Sequence, residues 1–206
     1  MPWVRRAITA APLAAALLAA TACGGARDIA ADKLPVLQNE WWDWVVSSPV
    51  DRNPVTDTTG AFCGEGQPDD IWFLAGTFGD AAGPVDRACE MPAGVPILVP
   101  AVNLLALPDL SGAPESQACL EVMGQMSGVI TLDGAEVLLE KVEGAQVTVK
   151  GVMGNPISHD LSMVSGAGCG LWARIAPLAP GAHTLTIRGE MPGANVDVDY
   201  ALTVTD

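Results

Sequence analysis

Cationic residues are scarce in this chain: ten lysines and arginines stand against 24 aspartates and glutamates. No basic cluster exists to displace counterions from a phosphate backbone, so nucleic acid is excluded as a partner and anionic lipid surfaces are disfavoured. Histidine occurs only twice, at His159 and His183. Gly-x-Ser-x-Gly, His-Glu-x-x-His and Cys-x-x-Cys are all missing; around Ser165 the sequence reads Met163-Val164-Ser165-Gly166. These gaps remove the marks of the common serine hydrolases, zinc proteases and dithiol redox proteins. What is abundant is glycine and proline, 22 and 16 residues, a composition that suits strands and turns better than long helices.

The amino terminus reads as an export signal. Arg5-Arg6 precedes an apolar run from Ala7 to Ala22 that ends in small residues, the charge-then-apolar order of a secretory leader. The run is too short and too alanine-rich for a comfortable membrane span. Ala20-Thr21-Ala22 suits ordinary cleavage and secretion. Leu18-Ala19-Ala20-Thr21-Ala22-Cys23 also resembles a bacterial lipobox, with Ala20 where leucine is usual. The chain has five cysteines, and lipidating Cys23 leaves four that can pair. Residues 1–22 are therefore expected to be a lipoprotein-type leader, with residues 23–33 a lipidated cysteine and its tether. Several acyl chains would hold the protein to the membrane. Residues 34–206 are long enough for one domain with its own core.

Period-2 alternation dominates the remainder. His183, Leu185 and Ile187 share one face, then Val196, Val198, Tyr200, Leu202 and Val204 share another, with polar residues between. Such alternation means antiparallel strands with one dry and one wet face. Pro192, Gly193 and Asn195 make the turn, and counting outward from it sets Arg188 opposite Asp197 and Thr186 opposite Asp199. Asp133-Gly134 between two apolar runs predicts a two-residue hairpin. Ile71 to Ala75 and Pro96 to Leu107 read as buried strands, the second kinked or ended at Pro100. Val147 and Val149 point inward from another strand. The stretches 76–94 and 155–170 read as loops. Leu34, Leu37, Trp41, Trp44 and Val45 recur at helical spacing, so residues 34–47 form one amphipathic helix, and a second short helix is expected near Cys119. The fold class is mainly β: a single sandwich, immunoglobulin-like or jelly-roll, with a short amphipathic helix near its mature start.

Candidate sites are few. Trp41, Trp42 and Trp44 either cap an open edge of the sandwich or stack on sugar rings. Trp42 falls off the helical stripe and is the ring expected to be exposed for binding. Asp51, Asn53 and Asp57 are oxygen ligands at close spacing, a candidate calcium loop, although Val55 and Thr56 stand where an EF-hand wants a ligand and a glycine. Asx-turns explain the same residues without metal. Asp69 and Asp70 could serve as a carboxylate pair on glycans, with His159 as a possible acid–base partner. His183 heads a strand and reads as a satisfied structural histidine. Four cysteines allow three pairings; chain order favours Cys63–Cys89 with Cys119–Cys169.

Read in order, Trp41-x-x-Trp44, Asn53-Pro54, Asp57-x-Thr59-Gly60, Cys63, Gln67, Trp72 to Gly76, Arg87-x-Cys89-x-x-Pro92, Asp133-Gly134 and Pro177-Leu178-x-Pro180-Gly181-x-His183-Thr184 together resemble a family of secreted or lipid-anchored bacterial proteins with no assigned activity. Pro-Gly-x-His-Thr also resembles a turn-to-strand entry of immunoglobulin-like bacterial sandwiches. The resemblance implies an exported single domain and no chemistry. The functional expectation is a non-catalytic binding module on the extracytoplasmic face of a bacterial membrane, with a glycan or envelope protein as partner. The alternatives are an envelope hydrolase acting on glycans and a purely structural lipoprotein.

Overall fold

The computed structural model describes residues 28–78, 83–108 and 114–206. The leader, Cys23 and the start of the tether lie outside the described residues. The elements in chain order are α1 Leu34–Val46, β1 Trp72–Phe73, β2 Val85–Pro92, β3 Ile97–Ala106, α2 Glu115–Met123, β4 Ser127–Leu132, β5 Ala135–Val137, β6 Glu140–Lys150, β7 Met163–Ile175, β8 Gly181–Met191 and β9 Ala194–Thr205. The strands form two packed sheets. One runs β1-β3-β7-β6 and the other β2-β9-β8-β4-β5. Most neighbours are antiparallel, but β1 runs parallel to β3 and β2 parallel to β9.

Where alternation was clean, the strands follow it. Arg188 pairs with Asp197 and Thr186 with Asp199, in the expected register. Asp133 and Gly134 adopt φ of 50° and 81°, the positive angles that a two-residue turn between β4 and β5 requires. Pro100 does not end β3. The register shifts between Pro100 and Val102, so the missing N–H is absorbed by a bulge and the strand continues. Cys63 pairs with Cys89 and Cys119 with Cys169.

Two apolar clusters share the four-stranded sheet. Ile97, Val99, Leu171 and Ala173 face the second sheet, where Leu185, Ile187, Val198 and Leu202 meet them. Leu98, Val147 and Trp172 point the opposite way, against Trp41, Trp44 and Val45 of α1. This sheet is therefore the middle layer, dry on both faces. That is why β3 reads as a continuous apolar run and not as alternation. Trp41 meets Trp172 edge to face with centroids 5.5 Å apart. Each such ring removes roughly 200 Å² from water, on the order of 5 kcal/mol before entropy is subtracted. The tryptophans thus pack α1 across the outer face of the sheet, and do not cap an open edge.

Each of the two stretches read as loop contains a strand segment. In 76–94, Val85, Arg87, Cys89 and Met91 all point inward from β2; the inward arginine hides the apolar period. In 155–170, β7 begins at Met163. Its glycines mark close approaches. A Cβ on Gly168 would lie 2.7 Å from Nε2 of Gln38 on α1, and one on Gly166 would lie 2.2 Å from the Ala106 carbonyl oxygen. Within the stretch read as tether, residues Ala31–Lys33 form a 3-10 turn leading into α1, and Arg174 of β7 donates to the Ile29 carbonyl.

Candidate functional site

The carboxyl end of α1 is closed by two distant corners of the same design. A helix end leaves carbonyls without intrahelical donors. Nδ2 of Asn53 donates to the carbonyls of Val45 and Ser48 at 2.7 and 3.2 Å. Nδ2 of Asn155 donates to the same two carbonyls at 2.8 and 2.7 Å. Each asparagine is followed by proline, and each side-chain oxygen accepts the N–H two residues on, that of Val55 at 3.0 Å and that of Ile157 at 2.8 Å. Asn-Pro-Val and Asn-Pro-Ile are thus two copies of one corner, both with the asparagine fully buried. The repeated tripeptide is a sequence signal that could have found this site, and sequence reasoning passed over it.

Val55 and Ile157, presented by these corners, form part of the wall of a cavity of about 260 Å³. Trp41 and Trp42 of α1, Phe78, Leu104 and Leu105 of β3, and Met191 and Val196 of the β8–β9 hairpin complete the apolar lining. Thr77, Asn103 and the indole of Trp42 bring polar groups to the residues that line it. Nε1 of Trp42 and Nδ2 of Asn103 are buried with no hydrogen-bond partner among the described residues, and both residues line the cavity. Buried donors without acceptors are uncommon. The tryptophans on either side of Trp42 in the helix are satisfied: Trp41 donates to the Leu74 carbonyl at 2.9 Å and Trp44 to that of Glu65 at 2.7 Å. No Asp, Glu, His or Cys lines the cavity among the described residues. A larger depression of about 580 Å³ lies over the five-stranded sheet, where Asp86, Thr184, Thr186, Asp199 and Ala201 offer only short side chains on a solvent-facing floor.

Trp42 itself departs from the expectation of an exposed ring: 5% of its surface is accessible. The two Asn-Pro corners cover the flank of α1 that periodicity alone assigned to solvent, and Trp42 becomes a wall of the cavity. Asp51, Asn53 and Asp57 do not converge as a calcium loop. Asp51 is exposed in a 3-10 turn, and both ends of the Asn53 amide are engaged in the corner. Asp57 accepts the N–H groups of Thr59 and Phe62 at 2.8 and 2.9 Å and the Thr59 hydroxyl at 2.8 Å. Burial pushes its carboxyl up, but these bonds and one from Gly60 outweigh that and hold it below the usual range. No group of three metal-ligating side chains occurs among the described residues.

The residues suggested for acid–base work are held apart by α1. Asp70 borders a groove with Lys33, Leu37 and Glu40, along the first half of the helix. There burial and then the negative Asp70 and Asp43 push the Glu40 carboxyl up. His159 lies exposed in the loop that docks through Asn155 on the other end of the helix. Asp160, its neighbour, accepts from the N–H and hydroxyl of Ser162. Asp69 is exposed beside Asp70, and no hydrogen bond joins either to His159 among the described residues. His183 is anchored as expected: its ring bonds the Asp133 carboxylate at 2.7 Å and the Ala179 carbonyl at 2.9 Å.

A buried cation that sequence reasoning passed over lies beside the cavity. Arg87, 2% exposed, donates to the carbonyls of Val55, Asp57, Ala75 and Gly76. Among the described residues it has no carboxylate partner. It ties the Val55 corner and the backbone at Ala75 and Gly76 together, and Val55 and Gly76 both line the cavity.

No protein-family model matches the chain, and no curated protein or solved structure does. The family resemblance of the ordered motifs remains a resemblance of motifs alone. Among the described residues no helix is long and apolar enough to cross a membrane.

Proposed function

We propose that this protein is an exported bacterial envelope protein, lipid-anchored through Cys23 on the extracytoplasmic face of the membrane, that acts as a non-catalytic binding module. The observation that carries the binding reading is the cavity beside α1. It is walled mainly by indoles and aliphatic side chains, carries Thr77 and Asn103 as polar residues, and has no acid, base or thiol on its described lining. An apolar recess with a few oriented polar groups is the usual form of a small-molecule site. The anchoring reading is supported by the disulfides: four cysteines are paired with one another, which leaves Cys23 without a partner in the chain. Two facing sheets with hairpins β4–β5 and β8–β9 suit an immunoglobulin-like or jelly-roll sandwich. The glycan hydrolase reading loses support from the separation of His159 from Asp69 and Asp70.

Native mass spectrometry of the protein extracted from bacterial envelopes in mild detergent tests the reading. We expect a non-covalent small molecule that co-purifies with the wild type and is lost from Ala194→Phe, where a ring fills the cavity beside Val196. A lipidated amino terminus should accompany it, absent from Cys23→Ser. Turnover of glycosides that depends on Asp70 and His159 would replace this reading with the hydrolase. A protein empty under every condition, with no variant-sensitive ligand, would leave a structural lipoprotein.

A further inference from the structure

We infer that the protein meets the membrane at the end of the sandwich where α1 begins, and that the cavity is held at the opposite end, facing the aqueous envelope. The inference rests on the lipid-anchored reading and gives that anchor a direction.

The tether docks before it reaches the helix. The Ile29 carbonyl accepts from Arg174 of β7, whose guanidinium is paired with Glu140 at 2.6 Å. Ile29 packs against the cluster that α1 shares with the four-stranded sheet, and Ala31–Lys33 form the 3-10 turn that runs into α1. From Cys23 to Asp28, the first described residue, there are five residue steps, which span at most about 17 Å. Were residues 28–33 loose, the eleven steps from Cys23 to Leu34 would span about 37 Å. Strand β9 is 12 residues long, so the sandwich measures about 36 Å along it. A loose tether would therefore let either end reach the lipid. The docked tether keeps its own end within the shorter distance of the bilayer.

The strands decide which residues share that end. Ile29, Lys33, Asp70, Ile71 and Pro96 border one groove, and Pro96 immediately precedes β3. In the same connection the Ala93 N–H donates to the Thr205 carbonyl at 2.7 Å, which brings the carboxyl end of β9 to this side. The 13 residues of α1 lead about 20 Å away from it. At the far end of α1 stand the two Asn-Pro corners. Their Val55 and Ile157 line the cavity together with Met191 and Ala194, which flank the β8–β9 turn.

Charge keeps the domain upright. Asp28, Glu40 and Asp70 outnumber Lys33 along the groove, and the chain as a whole carries −14. An anionic bilayer repels such a domain when it lies flat within a Debye length, about 8 Å. A body tied at one end and repelled elsewhere turns its free end outward. A ligand of the cavity then arrives through the aqueous envelope and not from the bilayer.

The test uses the lipidated full chain, purified from envelopes and reconstituted into phosphatidylethanolamine–phosphatidylglycerol vesicles that carry an acceptor dye on the headgroup. Asp206→Cys places a donor dye just beyond β9, at the end where α1 begins. Pro192→Cys places one in the β8–β9 turn beside the cavity. Both positions are exposed. Energy transfer to the bilayer should be at least about twofold stronger from Asp206→Cys, because about 36 Å of strand separates the two dyes. Should Pro192→Cys fail to fold, Met153→Cys, 65% exposed in the loop that docks on the far end of α1, takes its place. An insertion of about 20 Gly-Ser residues after Gly25 lengthens the flexible tether and should narrow the difference by about half or more. Equal transfer from the two positions, or stronger transfer from Pro192→Cys, would overturn the inference. So would a difference that the insertion leaves unchanged, because direct contact of a face with lipid would then set the orientation. The mass of the amino terminus and flotation with the vesicles judge the anchor separately. A chain without acyl groups that does not float loses both readings, whereas an acylated, floating protein with equal transfer loses the orientation alone.

Discussion

Asn53 and Asn155, far apart in sequence, donate to the same pair of carbonyls, those of Val45 and Ser48. Neither cap is redundant, because each side-chain oxygen also holds its own corner through Val55 or Ile157. Removing one amide leaves a buried N–H without its acceptor and thins the donors at the helix end. Asn53→Ala or Asn155→Ala should therefore each cost about 2 kcal/mol in urea unfolding. The double variant should cost less than the sum, since the two share acceptors. Strict additivity would show that the corners act independently.

Arg87 supports the opposite side of the same region. Its guanidinium lies 5.6 Å from the Tyr200 ring centroid and donates to the Tyr200 hydroxyl at 2.9 Å. Arg87→Met retains bulk but takes the arginine's donors from four carbonyls, of which that of Ala75 keeps the Tyr200 hydroxyl, and about 3 kcal/mol or more of stability should go with it. Arg87→Lys should recover only part of that, because three donors on a point charge cannot reproduce the planar fork. A loss below about 1 kcal/mol for methionine would mean that water or backbone shifts replace the arginine.

The ring of His183 faces two acceptors, the Asp133 carboxylate and the Ala179 carbonyl. Only the imidazolium can donate to both. The bond to Asp133, and then that to Ala179, raise the His183 pKa. The bond from His183, and then the Thr184 N–H, lower that of Asp133. A raised histidine contributes stability that is complete below its unfolded value near 6.5 and is lost as pH rises through the folded value. A depressed aspartate contributes above its unfolded value of about 3.9 and loses that as pH falls through the folded value. The pair therefore stabilises most between about pH 4 and 6.5. Melting temperatures should fall from pH 6 to 8.5 in the wild type more than in His183→Gln. Parallel curves for the two proteins would exclude the ion pair as their cause.

At Gly168 the Gln38 side chain of α1 reaches β7, donating to the Gly168 carbonyl at 3.0 Å. An added methyl would meet Gln38 at 2.7 Å and Val147 at 2.8 Å. Gly168→Ala should cost about 1–3 kcal/mol by overpacking. Gly124, beyond α2 with φ of −65° and no close neighbour nearer than 4.0 Å, is the control. Gly124→Ala should be neutral or stabilising by up to about 1 kcal/mol through the unfolded state. Thermal unfolding of the two variants side by side checks both signs. A stable Gly168→Ala would show that α1 can lift away without loss.

The sequence alone determined the local facts that follow from short-range stereochemistry. Alternation placed Leu185, Ile187, Val198 and Leu202 on one dry face, Asp133-Gly134 marked its turn, and turn counting set Arg188 against Asp197. Helical spacing located α1, and chain order matched both disulfides. Each of these depends on residues near in the chain, where side-chain period and backbone φ carry the information. Only the tertiary structure decided which surfaces are covered. Periodicity left Trp42 outward because it reports a helix's intrinsic stripe and is blind to what later folds over the flank. The corners at Asn53, just after α1, and at Asn155, about a hundred residues further on, bury it. Glycines 166, 168 and 170 read as loop because a missing side chain is ambiguous between a turn and a close approach, and only the position of Gln38 and β3 separates the two. Arg87 hid β2 for the same reason: an inward charge breaks the apolar pattern unless its distant carbonyl partners are known. The cavity is built wholly from such long-range placements, with walls from α1, β3, two corners and a hairpin.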